Sequence, residues 1–353
     1  MKHVKKIIIS TGATGGHIFP AIVVANKARD IGLEVKFILS SPRIDLDVID
    51  FDIHMVPSAP IVGKKSNLAI NLLKIFAGTI KSMPMTLSDR RRSVMLASGA
   101  FPSVPPLIAA YLSRLDFYIM EQNVIPGATV KTFASKARAV FTSFPETQDY
   151  LENANVIFTG NPIRKLTKYE NAKRFVGLDE NQKVVFVVGG SQGARRLAEI
   201  ALETSKKLKD VFFFIQCGRG NLEYFKKIGL VGKNYKIEPF IEDMGLMYSL
   251  ADVVVSRAGA GTIFEVIHFG IPLILVPLEI SRGHQIENAR SLAKKQAALI
   301  ELESELTPDK LADRISELLG NSALREEMVR AQKDFAPSNP EEKILNFILE
   351  DQN

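Results

Sequence analysis

Short apolar runs of strand length alternate with longer amphipathic stretches along the whole chain. This alternation predicts parallel sheets covered by helices. "KKIIIS" reads as a buried strand, "FPAIVVANKARDIG" as a helix ended by Gly32, and "EVKFILS" as the next strand. "SVMLAS", "LDFYIME" and "AVFTSF" continue the series, with helical pieces such as "PPLIAAYLSRL" between them. The pattern resets at "VIFTGNPIRKL", where Gly160, Asn161 and Pro162 make a turn-rich stretch and predict a hinge from Gly160 to Arg164. After a polar helix, "KVVFVVGGSQGARRLAEIALETSKKL" starts a second strand, glycine turn and helix. "VFFFIQCG", "YKIEPF", "DVVVSRAG", "PLILVPL" and "AALIEL" follow as strands, with "GTIFEVIHFG" and "GHQIENARSLAKKQ" as helices among them. The expected architecture is α/β, with two doubly wound parallel-sheet domains over residues 1–160 and 161–336. A last helix at about 337–350, from "PEEKILNFILEDQN", is expected to pack back onto the first domain.

Length agrees with two domains, since 353 residues is roughly twice the usual 150 or so per domain. The net charge of +6 is too mild an excess to mark a nucleic-acid binder. A single cysteine, Cys217, rules out a disulfide framework and a cysteine-based zinc site. It ends "DVFFFIQC" and reads as a strand-end core residue, and a reducing compartment follows. The first apolar run is too short for a signal-peptide core, and no apolar stretch approaches the roughly 20 residues of a membrane span. The expectation is a cytoplasmic protein that still has access to a membrane surface.

Two strand–turn–helix junctions are rich in glycine: "GATGGH" and "GGSQGA". In such folds ligands bind at the strand C-terminal ends, where helix N-termini favour negative charge. If the two halves face each other through those ends, the site is the cleft between domains. Neither turn is a dinucleotide fingerprint: the first has Ser40 and Ser41 where an acidic residue belongs. Neither is a P-loop, since no Gly-Lys-Ser/Thr occurs. Either turn serves equally well for close helix packing. A third junction, "SRAGAGTIFE", predicts a helix starting near Thr262 with Glu265 in its first turn. There a carboxylate either complements the helix N-terminus or accepts hydrogen bonds from a ribose diol. A fourth, "SRGHQIENA", clusters His284, Gln285 and Asn288 at a helix start.

Taken together, "TGATGGHIFPA", "GAFPSVP", "MEQNVIPG", "TGNPIR", "GGSQGARRL", "SRAGAGTIFE" and "HQIENA" resemble the MurG family of glycosyltransferases, in order, over residues 11–289. The resemblance implies a glycosyltransferase B fold, two Rossmann-like domains with an interdomain cleft. It also implies an inverting transfer of N-acetylglucosamine from UDP to a lipid-linked muramoyl-pentapeptide, converting lipid I to lipid II in peptidoglycan synthesis. On the donor side it assigns Ser191 and Gln192 to the diphosphate turn, the backbone of Ile241 to uracil, and Glu265 to the ribose. Ala260, Gly261 and Thr262 accompany Glu265, Arg164 meets diphosphate charge, and Gln285 meets the sugar hydroxyls. Ser191 serves as readily as an N-cap, Ile241 reads first as core packing, and Arg164 as a surface or hinge ion pair. From the first domain, Thr14, Gly15, Gly16 and Asn123 would approach the donor sugar. Gly99, Phe101 and Glu121 would face the acceptor, with Glu121 otherwise a strand-end solvent carboxylate. His17 is the candidate general base, its ring titrating near neutrality, or else it only positions phosphate.

Leaving-group charge would fall to helix N-termini and Arg164, so the expectation is no cofactor and no obligatory metal. The Asp-x-Asp pairs Asp45/Asp47 and Asp50/Asp52 read as solvated surface. Ala13, Ala100 and Phe101 depart from the family, which usually has glycine, glycine and tyrosine there. A lipid-linked acceptor implies docking to the inner face of the cytoplasmic membrane. Residues 60–93 hold seven Lys or Arg and one acid, with Leu72, Ile75, Phe76 and Ile80 on an apolar side suited to an anionic interface or simply to the domain core. Competing readings are a diacylglycerol glycosyltransferase, a UDP-N-acetylglucosamine 2-epimerase and a non-catalytic nucleotide-sugar binder.

Overall fold

The structure, a computed structural model, describes residues 4–12, 14–40, 49–60, 68–190, 193–227, 233–279 and 283–352. Ala13, Asp45, Asp47, Ser191, Gln192 and residues 61–67 of the basic apolar segment lie outside the described residues. The chain divides into two compact units, Met1–Arg164 with Ser338–Asn353, and Lys165–Pro337.

The first unit is built on β1 (Lys6–Gly12), α1 (Gly15–Asp30), β2 (Glu34–Ser40), β3 (Asp52–Met55), α2 (Leu68–Leu87), β4 (Ser93–Ser98), α3 (Val104–Leu112), β5 (Phe117–Glu121), α4 (Ala128–Phe133), β6 (Val140–Thr142) and β7 (Val156–Phe158). Its seven strands lie in the order β3-β2-β1-β4-β5-β6-β7, every adjacent pair parallel. β1 is buried throughout because helices cover both faces of the sheet. Alternation sorts its side chains. Ile7 and Ile9 join a core with Ile18, Ala21, Val24 and Ala25 of α1, whereas Ile8 joins Ile75 of α2 with Val104 and Leu107 of α3. Each fully buried isoleucine contributes roughly 1.5–3 kcal/mol. β3 and β7 are short sheet-edge strands that the hydrophobic pattern does not announce.

The second unit holds α5 (Ala172–Phe175), β8 (Lys183–Val188), α6 (Arg195–Lys207), β9 (Val211–Gln216), α7 (Leu222–Lys227), β10 (Tyr235–Glu238), α8 (Met244–Leu250), β11 (Val253–Ser256), α9 (Ala260–Phe269), β12 (Leu273–Leu275), α10 (His284–Lys294), β13 (Leu299–Ile300), α11 (Pro308–Gly320) and α12 (Ser322–Phe335). Six parallel strands run β10-β9-β8-β11-β12-β13. Val185, Val187, Phe213, Ile215, Val253 and Val255 pack against Leu197, Ala198 and Ala201 of α6 and Leu311 and Ile315 of α11. The polar helix expected before β8 shrinks to the four residues of α5.

The last helix, α13 (Pro340–Gln352), belongs to the first unit. Ile344, Leu345 and Ile348 enter the α1 core, and Phe347 stands edge-on to Phe141, with ring centres 5.7 Å apart. Asp351 closes the contact: it accepts from Arg138 Nε at 2.9 Å and from Tyr118 Oη at 2.6 Å. The guanidinium holds the Asp351 carboxyl below its ordinary value.

Helix α2 separates the four membrane candidates. Leu72, Phe76 and Ile80 are 51%, 64% and 54% exposed, but Ile75 is only 6% exposed and sits in the core. A spacing of three to four residues puts Ile75, Gly78, Thr79 and Ser82 on the inner face. Gly78 is required there, because a Cβ would lie 2.0 Å from the Pro57 carbonyl oxygen. Ile75 is therefore a core residue rather than part of an outer face. The exposed residues flank an apolar groove of about 390 Å³ between α2 and α3, with Lys74, Lys81, Arg91 and Arg92 exposed around it. Among the described residues, no helix is long and apolar enough to cross a membrane.

Candidate active site

In the first unit the strand C-terminal ends gather the predicted residues at two junctions. At the first, β1 stops at Gly12, where a Cβ would stand 2.2 Å from the Ser40 carbonyl oxygen and 2.8 Å from Pro102 Cβ. Thr14 is the extended N-cap of α1 and makes no side-chain capping bond. Its carbonyl accepts from the His17 and Ile18 amides at 3.0 and 3.2 Å. Gly15 is buried beneath Phe19, while the space beside Gly16 is open. His17 is half-buried, and its carbonyl accepts from Thr11 Oγ1 at 3.1 Å. Its ring Nδ1 meets Gln122 Oε1 at 2.8 Å. The Arg164 guanidinium lies over the Phe19 ring, 5.2 Å from its centre, so its hinge ion-pair alternative gives way to aromatic stacking.

The second junction follows β5. Glu121 is 2% exposed, not the solvent carboxylate that its strand-end position suggests. Its Oε1 accepts from the Asn123 amide at 2.9 Å and from Asn123 Nδ2 at 3.2 Å, and its Oε2 accepts from the Gly127 amide at 2.9 Å. Burial pushes the carboxyl up to about 6, and the hydrogen bonds pull the other way without cancelling that effect. The carboxylate is the internal post of the 121–127 loop. Gly99 belongs to the same cluster: its Cβ would come 2.5 Å from Val130 and 3.1 Å from Glu121 Oε2. Phe101 opens a short 3-10 turn, and its carbonyl accepts from Ser58 Oγ at 3.1 Å.

The second unit builds its junctions with the same economy. After β8, Gly190 and Gly193 have φ of +77° and +75°, a region that side chains avoid. A Cβ on Gly193 would also stand 2.5 Å from the Cys217 carbonyl. The N-cap of α6 is Ala194, which displaces the N-cap reading of Ser191. Helix α9 starts at Ala260, two residues earlier than the sequence suggests, so Ala260, Gly261 and Thr262 make its first turn. Glu265 falls in the next turn, too far along for a capping role. It accepts from Tyr248 Oη at 2.9 Å, and Tyr248 is fixed by Phe186 and Phe269 rings at 5.7 and 5.3 Å.

Helix α10 ties neighbouring turns together: Gln285 Oε1 accepts from the Leu278 amide at 2.9 Å, and Asn288 Nδ2 donates to the Ala258 carbonyl at 3.0 Å. Arg257 donates to the Val276 carbonyl at 3.1 Å and pairs with Glu303. Ile241 is half-buried in the turn before α8 rather than in the core, beside Asp243, which caps α8 through the Leu246 amide. Asp50 and Asp52 are exposed and pair with Arg29 and Lys36 at 3.1 and 3.5 Å.

Sequence reasoning missed Gln122, Tyr248 and Arg257. Gln122 stood inside the quoted "EQN", and Arg257 inside "SRAG", but neither carries a signal for the partner it finds in the fold.

Comparison with known proteins follows the same division. Residues 7–142 match the glycosyltransferase family 28 N-terminal domain, and residues 184–342 match its C-terminal domain. The chain is 32% identical over 356 residues to the UDP-N-acetylglucosamine–N-acetylmuramyl-(pentapeptide) pyrophosphoryl-undecaprenol N-acetylglucosamine transferase of Caldicellulosiruptor saccharolyticus, covering 96% of this chain and 95% of that one. It is 32% identical to the enzyme of the same name from Acetivibrio thermocellus, covering 97% of each. The crystal structure of Acinetobacter baumannii MurG is similar with a TM-score of 0.76 and 27% identity, covering 98% of this chain and 99% of that one.

Proposed function

The chain belongs to the MurG family within glycosyltransferase family 28, and on that premise we propose that it moves N-acetylglucosamine from UDP to the lipid-linked muramoyl-pentapeptide lipid I, giving lipid II for peptidoglycan synthesis. It is a UDP-N-acetylglucosamine-dependent hexosyltransferase of the glycosyltransferase B fold. The observation that carries the reading is 32% identity spread over 96% of the chain. It favours this acceptor over diacylglycerol, and transfer over 2-epimerisation.

The chemistry assigned to the residues is an inverting displacement. An acceptor hydroxyl attacks the anomeric carbon, the bond from that carbon to the diphosphate oxygen breaks, and the hydroxyl proton passes to His17. Charge gathers on the departing UDP. Arg164 and backbone N–H groups at the glycine turns are suited to stabilise it, so the reading invokes no metal or cofactor. In the second unit the "GGSQGA" turn, including Ser191 and Gln192, is assigned to the diphosphate. Glu265 with Ala260, Gly261 and Thr262 is assigned to the ribose, Ile241 to uracil and Gln285 to the sugar. In the first unit, Thr14, Gly15, Gly16 and Asn123 are assigned to the donor sugar. Gly99, Phe101 and His17 are assigned to the acceptor, and Glu121 acts by shaping the loop there rather than by facing it.

The exposed Leu72, Phe76 and Ile80 with their basic surround support a peripheral site on the cytoplasmic face of the membrane. The deciding assay supplies radiolabelled UDP-N-acetylglucosamine with a lipid I analogue or with diacylglycerol. Label in the lipid I product is expected; label in diacylglycerol alone would overturn the assignment.

A further inference from the structure

We infer that Gln122 is a positioning residue: it selects the tautomer of His17 that can act as a base. The inference rests on the base role given to His17 above. A neutral imidazole carries one N–H and one lone pair, and the hydrogen bond at one nitrogen decides where the other is. Gln122 Oε1 lies 2.8 Å from His17 Nδ1. A carbonyl oxygen only accepts, so the ring donates from Nδ1, and its lone pair is placed on Nε2. Left to itself an imidazole favours the opposite form, with the proton on Nε2 and no basic nitrogen there.

Gln122 is placed to enforce this choice. It is 4% exposed, so water competes little for its carbonyl. It follows directly on β5, and its own amide donates to the buried Glu121 carboxylate, which also holds Asn123 and Gly127. On the other side the His17 backbone is pinned through its amide to Thr14 and through its carbonyl to Thr11. Two rigid strand-end junctions, 105 residues apart in sequence, therefore meet in one hydrogen bond. This arrangement parallels an acceptor that orients a catalytic or metal-bound histidine from behind.

The test uses the full chain labelled with 15N-histidine. Only five histidines are present, and His17→Gln identifies the signal of interest. At pH about 8.5, roughly two pH steps above an ordinary imidazole pKa, long-range 1H–15N correlation distinguishes the two neutral forms. We expect the Nδ1–H form in the native protein, a shift toward Nε2–H in Gln122→Met, and recovery of Nδ1–H in Gln122→Glu, which again offers an acceptor oxygen. We also expect kcat of Gln122→Met to fall about 10- to 100-fold, with KM for UDP-N-acetylglucosamine changed less than about twofold. A native His17 in the Nε2–H form, or a Gln122→Met ring unchanged from native, overturns the inference. So does a switched tautomer with full kcat in a protein where His17→Gln is inactive. If His17→Gln itself keeps full activity, the base assignment fails, while the tautomer measurement still judges Gln122 on its own.

Discussion

Replacing Glu121 by glutamine exchanges one oxygen for an NH2 group and leaves the side-chain shape intact. The consequences are worked from its three hydrogen bonds. Oε1 serves the Asn123 amide and Asn123 Nδ2, while Oε2 serves the Gly127 amide. Glutamine can supply one acceptor oxygen but not two. Kept on Asn123, it turns its NH2 toward the Gly127 N–H, and two donors face each other in a buried site. An unsatisfied buried N–H costs roughly 1–3 kcal/mol. Against this stands the charge. Lifting a carboxyl from 4.5 to about 6 corresponds to about 2 kcal/mol in favour of the neutral form. That contribution to stability is fully present below pH 4.5 and is lost as pH rises through about 6. At pH 7.5 the native fold therefore bears an ionised group it would rather hold neutral, and glutamine relieves that burden. The two effects nearly cancel, so global stability should change by no more than about 1 kcal/mol, while the loop loses its anchor.

Hydrogen exchange resolves the two levels. At pH 7.5 the Gly127 amide of Glu121→Gln should exchange about 5- to 150-fold faster than native, the equivalent of 1–3 kcal/mol, with the amides of β1 and β4 unchanged. Corrected for its intrinsic rate, the native Gly127 amide should also lose protection as pH falls from 7.5 to 5, because a protonated carboxyl too has only one full acceptor. The variant should be flat over that range. Equal protection of Gly127 in both proteins at pH 7.5, or a native profile without pH dependence, would refute the reasoning.

Tyr248→Phe removes only the hydroxyl that donates to Glu265; UDP affinity by calorimetry should weaken three- to tenfold, about 0.5–1.5 kcal/mol. Glu265→Ala should lose more, and unchanged affinity in that variant rejects the ribose assignment. Leu72, Phe76 and Ile80 changed together to serine should lower co-sedimentation with anionic vesicles by at least about tenfold in a protein that melts normally. Undiminished binding there removes the docking face. Ile75→Ser, by contrast, should lower stability by about 2–4 kcal/mol through the lost core contact, which thermal unfolding reads directly.

The legible and the hidden parts of this protein differ by the range of the interactions that fix them. β1, β4, β8 and β11 are apolar on both faces because helices cover both, so their runs stand out in the sequence without any knowledge of partners. Edge strands such as Asp52–Met55 have one neighbour and a polar composition, so nothing local marks them. The glycine turns are legible as glycines, but their necessity is not. Only the fold places Ser40 against Gly12 or Cys217 against Gly193.

Ile75 and Ile80 look alike in the sequence because both are apolar and both sit among lysines. Helical phase separates them, and that phase is set by a contact of Gly78 with Pro57. Glu121 is the sharpest case. A carboxylate at the end of a strand reads as solvated, and what overturns that reading is a loop that folds back six residues to bring the Gly127 amide to it. Gln122 and Tyr248 are harder still, since an amide and a phenol gain their meaning only from a histidine 105 residues away and a glutamate 17 residues away. Residues that touch substrate in this family carry motifs of their own, whereas residues that aim them must be found by distance, in the folded chain.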